Sequence, residues 1–85
     1  MAKLVRSVRS VRSIKRTPAG HVIEVVKGGE TARYTRVNGG WTARVAHGKY
    51  SPWEDVVTVF TSWEVAQQVN GVAPYHTREH HAYIF

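Results

Sequence analysis

Six cations stand in the first sixteen residues, Lys3, Arg6, Arg9, Arg12, Lys15 and Arg16, and no acid stands among them. Six such side chains would neutralise about six phosphates and make binding strongly salt-dependent. The other six Lys and Arg meet six Asp and Glu, so the formal net charge of +6 belongs to this segment. The same composition suits a solvated tail, or an anionic lipid surface at about 1 kcal/mol per basic residue. With no regular amphipathic pattern and no lipidation motif, the membrane is the least suited of these partners, and nucleic acid, DNA first, is the most suited.

Other reactive side chains point to less. His76 and His80 are four apart, with Glu79 and His81 beside them. On a helix the two would share a face and could hold zinc. They follow Pro74 and precede an apparent strand, with no second ligand cluster, so no metal and no other cofactor is expected. There is no cysteine, one aspartate (Asp55), no Gly-x-Ser-x-Gly and no phosphate loop. Catalysis and a small-molecule substrate are therefore not expected. Two of the three tryptophans suggest a protein surface instead. Trp53 follows Pro52 in a loop and Trp63 opens a helix; together with Glu54, Asp55 and Glu64 they would form an acidic, aromatic patch. Such a patch suits a protein partner, as in a small phage-type inhibitor or adaptor.

The elements that would position these groups follow from periodicity. Residues 5–13 repeat Val-Arg-Ser, and Ile14-Lys15-Arg16 follows. In a helix the aliphatic stripe of a three-residue repeat drifts by about 60° per step, and in a strand every second one faces the wrong way. The reading is a disordered basic arm over residues 1–18, punctuated by Pro18 and Gly20. From His21 the pattern is β. Val22 to Val26 is β-branched and closed by Gly28-Gly29; Thr31 to Val37 alternates; Asn38-Gly39-Gly40 signals a hairpin; Trp41 to Ala46 returns. Val56 to Phe60 is a fourth strand, although Ser51-Pro52-Trp53-Glu54 offers a capping box for a rival helix. Thr61 and Glu64 cap a helix whose stripe is Val65, Ala66 and Val69, and Asn70-Gly71 suits a left-handed close. Ala82 to Phe85 offers a last strand.

Residues 19–85 thus form a single α+β domain, a small antiparallel sheet of three to five strands packed on one helix, with the other face uncovered. Alternation puts Trp41, Ala43 and Val45 under the helix and Thr42 and Arg44 outside. Tyr34 and Arg36 are assigned to the same outer patch, where a narrow β-ribbon would enter the major groove.

Arg36-Val37-Asn38-Gly39-Gly40-Trp41-Thr42-Ala43-Arg44-Val45, followed by Phe60-Thr61-Ser62-Trp63-Glu64-Val65-Ala66, resembles the AP2/integrase N-terminal type of DNA-binding domain over residues 33–70. That resemblance implies a three-stranded sheet on one helix and DNA contact through the open face, with Arg36 and Arg44 in contacting positions. The arginine cluster before the turn is reduced here to Arg33 and Arg36, and Val59 replaces a glycine. No apolar run reaches the ~20 residues of a membrane span and no secretory signal is apparent, so a cytoplasmic protein is expected.

Overall fold

A computed structural model describes residues 11–81. The order is α1 (Val11–Lys15), β1 (His21–Lys27), β2 (Glu30–Val37), β3 (Gly40–Ala46), β4 (Glu54–Phe60), α2 (Ser62–Asn70), a 3₁₀ turn (Pro74–His76) and β5 (Thr77–His81). The strands make one five-stranded antiparallel sheet in the order β4-β3-β2-β1-β5. This is the expected α+β architecture, a sheet on one main helix.

Turn chemistry sets the registers. Gly28 and Gly29 both take positive φ, 57° and 84°, in a two-residue loop that pairs Lys27 with Glu30. Such a loop matches the right-handed twist of its strands. At the next hairpin Gly39 alone supplies the positive φ, 88°, and the pairing starts at Val37 with Gly40. Gly40 is also needed for closeness: a Cβ there would lie 2.8 Å from the Phe60 carbonyl oxygen. Residues 54–60 are strand, so the rival helix does not form. β4 carries an irregularity, because Trp41 pairs with Phe60 but Ala43 with Val56. Val57, inside that irregularity, is 98% exposed.

The core lies on one face of the sheet. Ile23, Val25, Tyr34, Trp41 and Ala43 project from the strands to meet Val65, Ala66 and Val69 of α2. The α2 start is as expected: the Glu64 N–H donates to Thr61 Oγ1 at 3.2 Å and the Thr61 N–H to Glu64 Oε1 at 2.9 Å. Its end differs, since Gly71 has φ −80° and continues the right-handed turn instead of making a left-handed cap.

The larger correction concerns residues 11–16. Residues 11–15 are helical, α1 packs on α2, and Ile14 is fully buried in the core. The domain therefore begins at or before Val11, and the arm does not extend to residue 18. A helix this short has no stability of its own and exists because tertiary packing holds it. It ends where the Thr17 hydroxyl donates to the Ser13 carbonyl at 3.1 Å, just before Pro18. The expected strand at Ala82–Phe85 lies outside the described residues; the strand observed is Thr77–His81. No helix among the described residues is long and apolar enough to cross a membrane.

Candidate nucleic-acid interface

The face of the sheet opposite the core carries the polar side chains. Cross-strand partners share a face, so register alone lists what lies there. Arg78 pairs with Glu24, Glu24 with Arg33, Arg33 with Arg44, and Arg44 with Asp55. One row thus crosses all five strands with the signs +, −, +, +, −. A second row runs His80, Val22, Thr35, Thr42.

Two acids neutralise this row incompletely. Arg33 Nε donates to Glu24 Oε2 at 2.8 Å, and that carboxylate is nearly buried while half of Arg33 stays in water. Arg44 Nε donates to Asp55 Oδ1 at 2.8 Å, with both side chains largely exposed. Both pairs are made through Nε, which leaves the terminal NH2 groups as donors for an incoming anion. Like charges directly opposite on neighbouring strands are destabilising. The Arg33–Arg44 pairing therefore sets two arginines opposite each other on the open face, each drawn outward to its acid, Arg33 towards β1 and Arg44 towards β4.

The open face is not bare throughout. The loop after β3 folds across one end, where the Arg33 guanidinium lies 4.4 Å over the Trp53 ring. Hollows flank this stack. One, about 360 Å³, is lined by Val22, Arg33, Thr35, Arg44 and His80. The other, about 380 Å³, lies beneath the loop between Val26, Thr31, Ala46, Lys49 and Trp53. Lys49 sits 5.7 Å over the ring of Tyr50, which is 91% exposed at the loop tip.

The sequence-predicted residues divide between the faces. Thr42 and Arg44 lie on the open face as expected. Tyr34 and Arg36 do not. Tyr34 is buried against Phe60, ring centroids 5.6 Å apart and nearly perpendicular, and burial together with the Glu30 charge pushes its phenol pKa up. Arg36 is on the helix side: its guanidinium donates to Ser62 Oγ at 3.1 Å and to the Lys15 carbonyl at 3.3 Å, over the Trp41 ring. The expected patch was one residue out of register on β2. A two-residue loop at Asn38-Gly39 pairs Thr35 with Thr42 and Arg33 with Arg44, so Arg33 and Thr35 replace Tyr34 and Arg36. Loop length was the signal that would have found them. Arg78 and His80 were missed because five consecutive polar residues on β5 give no apolar alternation.

Of the cationic segment, Arg12, Lys15 and Arg16 are exposed on and just after α1, on the helix side of the sheet. Lys3, Arg6 and Arg9 lie outside the described residues. The acidic, aromatic residues do not form one patch. Trp53, Glu54 and Asp55 stand at the start of β4, Trp63 and Glu64 beyond its end, and a strand of this length spans about 20 Å. Glu64 is engaged in the helix cap, while Trp63 is 59% exposed. His76 lies in the 3₁₀ turn and His80 on β5, not on one helix face; no group of three or more metal-ligating side chains occurs among the described residues. His21 Nε2 is 3.2 Å from Glu79 Oε2, which ties β1 to β5 on the core side.

No family model, no curated protein and no solved structure matches this chain.

Proposed function

We propose that the protein acts by binding nucleic acid, DNA in the first instance, and that it does so through the open sheet face assisted by the basic N-terminal segment. The observation that carries this reading is the pairing of Arg33 with Arg44 on the sheet face opposite the helices, beside the loop that brings Trp53 against Arg33. Two arginines paired across β2 and β3 favour phosphate oxygens above them, because charge-assisted bonds to Arg are the strong ones. The exposed Arg44–Asp55 pair is worth at most about 1 kcal/mol, so exchanging it for phosphate costs little. Thr35, Thr42, Arg78 and His80 add donors around it. The six cations of residues 1–16 supply a sequence-independent attraction. A lack of cysteine fits a reducing, cytoplasmic setting.

The test is binding of the full chain to labelled DNA across a salt series, beside Arg44→Glu and a form lacking residues 1–10. The deletion stops before Val11 because Ile14 belongs to the core. The reading expects affinity to fall steeply with salt, Arg44→Glu to weaken binding at least about tenfold, and the deletion to flatten the salt slope. Absence of binding by the full chain at low salt would end it.

A protein partner is the second reading, and a different region favours it. Val57, Val59 and Trp63 are exposed apolar side chains on and just after the edge strand β4. A small phage-type inhibitor or adaptor would use this edge, and its partner binding would survive Arg44→Glu.

A further inference from the structure

We infer that the open face takes single-stranded nucleic acid, held by its phosphates at Arg33 and Arg44 with an unpaired base stacked against the Arg33–Trp53 pair; this rests on the nucleic-acid reading above and names its partner. The case against a duplex is geometric. Five strands at the usual spacing put the outer two about 19 Å apart, whereas the major groove is about 12 Å wide. The polar row from Arg78 to Asp55 uses that whole width. Among the described residues no strand or hairpin projects to enter a groove instead: the strands are five to eight residues long. α2 offers no recognition surface either, since its exposed side chains include Trp63, Glu64, Gln67 and Gln68 and no cation.

What the face does offer fits a strand whose bases are free. Arg33 is held by two contacts, its Nε to Glu24 at 2.8 Å and its guanidinium over Trp53 at 4.4 Å. A planar cation fixed in this way and half exposed is a stacking platform, and unpaired bases stack on guanidinium planes as they do on aromatic rings. The hollows on either side, about 360 and 380 Å³, fall within the ~300–1,000 Å³ range of small-molecule pockets. A base unstacked from its neighbours can enter them; a base inside a duplex cannot. The Arg33–Arg44 row lies between the two hollows, and Thr35 and Thr42 continue the open face beyond it, where a sugar–phosphate backbone would run. DNA and RNA share this chemistry.

The experiment is fluorescence anisotropy of the full chain with labelled oligothymidine, oligouridine of the same length, and a duplex of the same length, at about 50 mM salt. Arg33→Lys and Trp53→Leu are measured beside the parent, with circular dichroism to confirm that they fold. Lysine keeps the charge near Glu24 but loses the plane, so a structural role for the charge alone would leave Arg33→Lys unaffected. The expected result is a single strand bound at least about tenfold tighter than the duplex, with Arg33→Lys and Trp53→Leu each losing about tenfold on the single strand only. Either ranking of oligothymidine and oligouridine supports the inference and names the source. A duplex bound as tightly as the single strand overturns the inference while leaving nucleic-acid binding in place, and so do folded variants that keep full single-strand affinity. No binding to any of the three overturns both.

Discussion

Arg36 and Arg44 sit on neighbouring strands of one sheet and do opposite work. Arg36 faces the helices, where it donates to Ser62 and to the Lys15 carbonyl and lies over Trp41. It joins β2, α1 and α2 through one bond from each of its NH2 groups. Arg44 faces away, tied only to an exposed Asp55 and set opposite Arg33. The same side chain is structural on one face and available on the other, and parity along the strand decides which. Net charge therefore says little about where binding capacity lies; what matters is which cations the fold leaves uncommitted.

The sharpest way to break this division is to attack the covered face at the residue that looked least structural. Ile14 lies in a basic segment yet is fully buried with Ile23, Trp41 and Val65. Ile14→Ala removes its side chain from that core and leaves a cavity, at a cost of about 2–4 kcal/mol. Urea unfolding should show the midpoint falling with an unchanged slope. A change under about 0.5 kcal/mol would return residues 11–16 to the arm and erase the distinction between exposed cations and core in that segment.

Arg36→Ala and Arg44→Ala test the comparison directly, with a smaller effect. Arg36→Ala loses one part-buried and one exposed hydrogen bond and should cost about 1–2 kcal/mol of stability. It should leave the nucleic-acid affinity of the folded protein within about twofold. Arg44→Ala should cost under about 1 kcal/mol, as exposed ion pairs do, and weaken binding about tenfold. Measuring both variants by unfolding and by anisotropy separates the two roles. If both lose stability and neither loses affinity, the open face is as structural as the covered one.

How far these roles were legible depends on how local their cause is. The Gly28-Gly29 and Gly39 turns, the Thr61–Glu64 cap and the strand character of Val56 to Phe60 each follow from neighbours in sequence, and each appears where its residues stand. Ile14 was hidden because a five-residue helix is too short to show a period; it is helical only because α2 lies beside it. β5 was hidden because Thr-Arg-Glu-His-His is placed by backbone pairing with β1, not by an apolar pattern. Tyr34 and Arg36 were put on the wrong face by a slip of one residue, which exchanges every side chain of a strand between faces. Long-range packing and register are what sequence left out, and the open face is made of both.

Tyr34 gives the smallest effect and a check on that register by titration. On the core face its phenol is buried, which raises its pKa above the ordinary value near 10, and the Glu30 charge raises it further. On the open face it would ionise as a solvated phenol does. Because the folded protein holds the phenol proton more tightly than the unfolded chain, the stability gained is fully present below pH ~10 and is lost as pH rises through the folded value. Parent and Tyr34→Phe should therefore have parallel stability curves up to pH ~10, after which the parent falls more steeply. Every other ionisable group is common to both proteins and cancels in the difference. Urea midpoints between about pH 8 and 11.5 give that difference. Curves that stay parallel throughout would mean a solvated Tyr34, hence β2 turned over, with Arg36 on the open face and Arg33 beneath the helix.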